Sequence, residues 1–343
     1  MNRKELDALV EHHNLTASGV EALLEVAGAR PSAAEQLRFG IRMLALAGVL
    51  SLAAGVIFFV AANWDELRVV GRFALLETLF VATVAVAIWQ PPPLALGRYG
   101  LLGAFILAGA LLALFGQTYQ TGANLYELFL TWALLGLPLV IAGRWSVPWA
   151  AWVAVLNTAL ALYCGWRPEG GLLWLVFSGF AMPPTLLIMV PAVVNLGLWG
   201  LCEATQNTAL ERTFAQQAPG WLRRFIIACA VAFGTWAAGF AIMRDLFDST
   251  EFQNGDAETL LLHGVVLAVA GFQTVRRHTD VFPLAMIAAS LIVLGAFAIG
   301  RSLRHEDTGM LFALSAWLVI SSTVAGRVLL RLVRSWRSEE ARA

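Results

Sequence analysis

The sequence predicts an all-α fold: a polytopic transmembrane helical bundle of about ten spanning helices, preceded by a small cytosolic helical module. Three observations carry this. The chain is 59% hydrophobic and only 13% charged, about half the roughly 25% charge of an ordinary soluble domain. Ten apolar segments of spanning length follow one another, at 42–62, 70–89, 99–116, 127–143, 147–165, 184–202, 224–243, 259–275, 281–300 and 309–333. Finally, the basic residues are sorted by side: with those near a span's end counted in the gap it adjoins, 17 of 23 belong before the first span, after the last, or to every second gap between, and 6 to the others. Membrane chains keep Lys and Arg on the cytoplasmic side, so both termini are expected to be cytoplasmic.

The elements follow in order. Residues 1–40 form an amphipathic helical hairpin, with Leu6, Leu9 and Val10 at helical spacing and capping boxes at Ser18–Glu21 and Ser32–Glu35. The helix begun at Ser32 is expected to run unbroken into the first span. Residues 41–165 hold the first five spans, and 166–343 the last five with a basic C-terminal stub (Arg334, Trp336, Arg337) suited to anionic lipid. Spans 127–143 and 259–275 are short, which suggests local membrane thinning or a deep position in the bundle. The apolar stretch Leu172–Ala181 precedes Met182-Pro183-Pro184. An eleventh crossing there would invert every later loop against the charge rule, so 172–181 reads as a half-helix or re-entrant segment broken at the proline pair.

Composition excludes several functions. Cys164, Cys202 and Cys229 are scattered, with neither a disulfide framework nor zinc-ligand spacing. HExxH, GxSxG and phosphate-binding glycine loops are missing, so an enzyme is the minority reading and no cofactor or metal is implied. Nucleic acid is not an expected partner. The Arg-rich composition suggests a GC-rich bacterial genome, and the apolar residues begin too late, near Met43, for a cleavable leader.

Two polar motifs, both in arginine-poor gaps, are the candidate sites. Asn63-Trp64-Asp65-Glu66 joins spans one and two; Gln117-Thr118-Tyr119-Gln120 through Asn124 and Glu127 joins spans three and four and leads to Trp132. Asn63 with Glu66, and Asn124 with Glu127, have capping-box spacing and could simply start the following spans. Trp64, Tyr119 and Tyr126 suit an interfacial aromatic belt. Alternatively, the carboxylates and amides converge on an outer polar vestibule that binds a cation, a small polar solute or a partner.

Glu77 lies about a third of the way into span two, where an ionised carboxylate costs on the order of 3 kcal/mol. It could serve coupling, or hydrogen-bond to Asn157, Thr78 or Thr83 inside the bundle. Asn157 and Asn195 suit interhelical contacts. His263 reads as a packing residue, and Asp245, Asp248, Glu251, Asp256 and Glu258 as a solvated acidic loop.

On the N-terminal module, Ala62-Asn63-Trp64-Asp65, Gly116-Gln117-Thr118-Tyr119-Gln120 and Leu128–Pro138, the chain resembles a family of bacterial multi-pass membrane proteins, the domain of unknown function 2157. The resemblance covers roughly the first 145 residues; the rest matches in hydropathy alone. It implies a membrane bundle and no established activity, and mildly favours an assembly role. The reading that follows is a non-enzymatic inner-membrane scaffold, sensor or accessory subunit with a membrane-protein partner or a second copy of itself. The alternative is a secondary transporter using Glu77 and the outer carboxylates for cation or proton coupling.

Overall fold

The computed structural model describes residues 10, 12–13, 16–26, 31–166, 171–177, 182–204, 220–244, 255–277, 280–302 and 307–340. Among these there is no strand. The helices are α1 Ala17–Val26, α2 Ala33–Ala62, α3 Val69–Trp89, α4 Ala95–Tyr119, α5 Leu125–Gly143, α6 Ser146–Trp166, α7 Gly171–Phe177, α8 Pro184–Ile188, α9 Val190–Ala204, α10 Gly220–Met243, α11 Asp256–Arg277, α12 Phe282–Ser302 and α13 Asp307–Glu340. Ten stretches are long and apolar enough to cross a membrane, and they coincide with the ten apolar segments, α8 and α9 together making one. The protein is therefore an all-α membrane bundle.

Contacts divide the chain into two compact units, Met1–Arg72 and Phe73–Ala343. In the first, Ser32 caps α2: its hydroxyl accepts from the Glu35 amide at 3.2 Å, and the Glu35 carboxylate accepts from the Ser32 amide at 2.9 Å. The helix then continues unbroken for 30 residues, about 45 Å at 1.5 Å per residue, as expected. The box at Ser18 is not used. Thr16, two residues earlier, takes the cap, its hydroxyl accepting from the Gly19 amide at 3.4 Å. Most of the helix expected over residues 2–13 lies outside the described residues.

The second unit is organised around α10, which packs against α6, α8, α9, α11 and α12. Its buried face is built from small residues (Ala230, Gly234, Ala237, Ala238, Gly239 and Ala241) with Leu222, Ile226, Ile227 and Val231. Small side chains let five neighbours approach one axis, which dispersion and packing require in a solvent as apolar as the helices. A Cβ on Gly234 would meet His263 at 2.4 Å, and one on Gly239 would meet Phe297 at 2.7 Å. A main cluster of Val153, Trp199, Ile226, Ile227, Val231, Leu267 and Ala270 joins α6, α9, α10 and α11.

Three tryptophans stitch neighbouring helices by donating the indole N–H to a backbone carbonyl, each at 2.8 Å: Trp132 to Phe105, Trp152 to Ala133 and Trp317 to Ile292. In each case a glycine stands three or four residues after the accepting carbonyl: Gly109, Gly136 and Gly295. A Cβ at Gly109 would lie 2.5 Å from the Trp132 ring, and one at Gly295 2.1 Å from the Trp317 ring. Gly136 instead makes room for Phe105, 2.5 Å away, whose ring lies 5.4 Å from that of Trp132.

The helix described in the stretch 172–181 is too short to cross by itself. α7 has seven residues, about 10 Å of helix. Leu173 is buried with Tyr126, Tyr163 and Leu187, and Phe177 packs on the same cluster; residues 178–181 lie outside the described set. Pro184 opens α8 at its first turn, and the helix breaks at Met189, because Pro191 has no N–H to continue the ladder.

One expectation is corrected by length. The span at 259–275 is not short: α11 runs 22 residues because Asp256 and Glu258 form its first turn, and the Glu258 carboxylate accepts from the Gly255 amide at 2.8 Å. At 19 residues, α5 remains the shorter of the two.

Deep in the bundle Asn157 and Asn195 hydrogen-bond reciprocally between α6 and α9, at 3.2 and 2.5 Å, and Asn195 also donates to the Pro191 carbonyl at 2.7 Å. Replacing Asn157 alone by Leu leaves Asn195 short of a partner and is expected to cost about 1–3 kcal/mol. The double Asn157→Leu/Asn195→Leu variant should recover most of that loss, as read by reversible unfolding in mixed micelles.

Candidate functional sites

In the first unit, Asn63 caps the end of α2 rather than the start of α3. Its amide and its side-chain Nδ2 both donate to the Phe59 carbonyl, at 3.1 and 2.8 Å. Residues 63–66 form turns and α3 begins only at Val69, so Glu66 stands too early to close a capping box. Arg72, buried at 8% exposure, reaches back: its guanidinium donates to the Trp64 carbonyl and stacks 3.7 Å from the Trp64 ring. A cation over an indole face in a low-dielectric setting latches the turn onto α3. Trp64 is thus a fastening residue, whereas Asp65 and Glu66 are exposed and make no ion pair among the described residues.

In the second unit, Gln117, Tyr119 and Gln120 are exposed at the end of α4. Tyr119 stacks on Phe115 and Phe73, at 4.8 and 6.1 Å between ring centroids. Gln120 closes α4 in the left-handed region, at φ 43°. Glu127 completes the capping box expected with Asn124, its carboxylate accepting from the Asn124 amide at 3.2 Å and from the Tyr126 hydroxyl at 3.3 Å. Trp132 is one of the three indole stitches. Of these residues, then, Glu127 and Trp132 are occupied in holding α5, and the amides and Tyr119 remain presented outward.

Glu77 does not meet Asn157, which is paired with Asn195, nor Thr83, whose hydroxyl donates to the Phe80 carbonyl at 2.8 Å. It stands exposed on α3 with no hydrogen bond or ion pair among the described residues.

The structure assembles two polar clusters that the motifs did not single out. One centres on His263, 2% exposed, whose Nε2 lies 2.9 Å from the Ser290 hydroxyl. Ser290 in turn meets the Thr235 hydroxyl at 2.7 Å, linking α11, α12 and α10. His263 is therefore a core residue within a hydrogen-bonded chain rather than an interfacial one. Above it on the same face of α11, Thr259 is fully buried and its hydroxyl donates to the Gly255 carbonyl at 2.6 Å. Asp256, 1% exposed, faces Arg244 at 3.6 Å. Asp256 was expected in a solvated loop; it is buried because it opens the inward face of α11. Asp245, Asp248 and Glu251 lie outside the described residues.

The second cluster closes the opposite end of α10. Arg224 holds Asp280 through two hydrogen bonds, at 2.7 and 3.2 Å, and Arg223 faces Glu203 at 3.6 Å. Burial pushes the Asp280 carboxyl up, but the hydrogen bonds from Arg224 and the Phe282 amide, with the charges of Arg224 and Arg223, outweigh it and hold the group below its ordinary value. The spacing of Asp256, Thr259, His263 and Thr274 along one face of α11 was visible in the sequence. The partners on other helices, Ser290, Thr235, Glu203 and Asp280, were not.

Residues 7–149 match the family of predicted membrane proteins designated DUF2157, which bears out the resemblance carried by the first part of the chain. No curated protein and no solved structure matches. Among the described residues no three His, Cys, Asp or Glu side chains come together as metal ligands would.

Because its folded value is depressed, Asp280 stabilises the fold above the ordinary carboxylate range near about pH 4 and loses that contribution as pH falls through the lowered value. Thermal unfolding of the wild type and Asp280→Asn should differ by a constant margin at neutral pH. The margin should shrink below about pH 4.

Proposed function

We propose that the protein is a non-enzymatic membrane scaffold, sensor or accessory subunit, and that Glu77 marks where a partner's membrane helix docks. The observation that carries this is the exposed carboxylate on α3. Ala74, Thr78, Val81 and Ala82 are exposed beside it, and small residues let a second helix approach closely. Left against acyl chains, an ionised carboxylate costs about 2.5–3.5 kcal/mol on the insertion scale. A donor on a partner helix offsets that cost. The exposed Asp65 and Glu66, and separately Gln117, Tyr119 and Gln120, are available to the partner's solvent-facing parts. Asn63, Trp64, Glu127 and Trp132 support these motifs from behind.

The same exposure speaks against the transporter reading, which needs Glu77 on an internal pathway. The sorting of arginines supports a cytoplasmic location for both termini in a bacterial inner membrane.

Full-length protein purified in mild detergent should carry a stoichiometric membrane protein. Glu77→Leu should lose it while keeping the wild-type unfolding midpoint; Glu77→Gln, which retains a hydrogen-bonding group, should keep part of it. Retention by Glu77→Leu, or the absence of any such companion, would contradict the reading. Orientation has its own check: in sealed spheroplasts a single cysteine placed at Thr121 should react with an impermeant reagent, and one at Arg277 should not.

A further inference from the structure

Beyond Glu77, α11 carries a second unclaimed surface at its arginine-rich end. A groove of about 640 Å³ runs along Ala268, Val269 and Phe272 and reaches Gln273 and Arg276. Gln273 also lines a smaller cleft of about 110 Å³ whose walls include Glu203, Arg223, Arg224 and Asp280, so one side chain borders both. Chemistry changes in one direction along the helix, from aliphatic to aromatic to amide to guanidinium. From Ala268 to Arg276 the rise is about 12 Å, and Arg276 sits one residue from the end of α11.

The charges at this end are unevenly committed. Arg224 is engaged by Asp280 and Arg223 faces Glu203. Arg276 is exposed, has no ion pair among the described residues and lies 6.0 Å over the Phe272 ring. Among the described residues, the Arg276 guanidinium is therefore left without an ion pair at the mouth of an apolar groove.

We propose that this groove binds an anionic phospholipid from the leaflet on the arginine-rich side. Its acyl chain lies against Ala268, Val269 and Phe272, and its phosphate meets Arg276 and Gln273. A guanidinium matches a phosphate in shape and charge, and basic recesses beside membrane helices select anionic headgroups. A zwitterionic lipid brings the same phosphate, but its ammonium cancels the headgroup's net charge and so weakens the attraction to Arg276. A soluble phosphate ester forgoes the apolar groove altogether.

The test uses full-length protein in detergent, with phosphatidylglycerol, phosphatidylethanolamine or glycerol 3-phosphate added, read by native mass spectrometry and by the unfolding midpoint. Phosphatidylglycerol should be retained and raise the midpoint, phosphatidylethanolamine should bind more weakly, and glycerol 3-phosphate should do neither. Arg276→Gln should weaken phosphatidylglycerol retention about fivefold, the effect of one basic residue at a membrane surface. Val269→Trp, which fills the groove and leaves the charge in place, should weaken it too. Arg276 is exposed and Val269 half-buried beside the open groove, so each variant should unfold like the wild type without lipid. Equal binding of the two lipids, equal protection by glycerol 3-phosphate, or undiminished retention by Arg276→Gln would overturn the proposal.

Discussion

A hydrogen bond from an indole N–H to a backbone carbonyl of the next helix, made where a glycine uncovers that carbonyl, is the constraint on which the α4–α5 and α12–α13 packing depends. In lipid there is no gain from hiding apolar surface between helices, so packing and polar contacts must supply cohesion. A carbonyl already bonded within its helix keeps a second lone pair. A side chain at the third or fourth following position normally covers it. With Gly109 or Gly295 at that position the indole ring drops against the backbone, and its N–H reaches the carbonyl at 2.8 Å. An indole N–H left in hydrocarbon would instead carry the cost of an unmade hydrogen bond, about 1–3 kcal/mol. The stitch therefore secures both the distance between two helices and their register.

The same logic orders the rest of the second unit. α10 is lined with Ala and Gly where five helices converge, and polar groups on that hub meet partners rather than lipid: Thr235 with Ser290 and, through it, His263. Asn157 and Asn195 satisfy one another between α6 and α9. Charged pairs flank α10 at both ends, Arg244 with Asp256 at one and Arg224 with Asp280 at the other. Against this background Glu77 stands out as an exposed carboxylate within a spanning helix with no hydrogen bond or ion pair among the described residues, and Arg276 as an exposed guanidinium set over the Phe272 ring.

Much of this was legible in the sequence, for physical reasons that can be named. Span positions follow from hydropathy because a helix in lipid must satisfy its backbone internally, and the caps at Ser32 and Asn124 are local, set by residues three apart. The short helix α7 lies in the stretch that the charge rule argued against as an eleventh crossing. Asn63 misled because Asn followed three residues later by Glu suits a helix start. The chain instead needs a turn of six residues before α3, and Asn63 ends the preceding helix. What stayed hidden is long-range. Nothing in the sequence pairs His263 with Ser290 or Trp132 with Phe105 and Gly109, because such contacts depend on which helix faces which. Glu77 was visible as a costly residue, but whether it faced inward or outward required the neighbours of α3.

The most direct test of the indole stitch is a double-mutant cycle on Gly109 and Trp132, measured by reversible unfolding in mixed micelles. Gly109→Ala should destabilise the wild type, because the new methyl meets the indole ring. It should be close to neutral when Trp132 is already Ala, giving a coupling energy of about 1–3 kcal/mol. Additive losses, with Gly109→Ala costing the same in both backgrounds, would show that the glycine does not serve the tryptophan and would contradict the account.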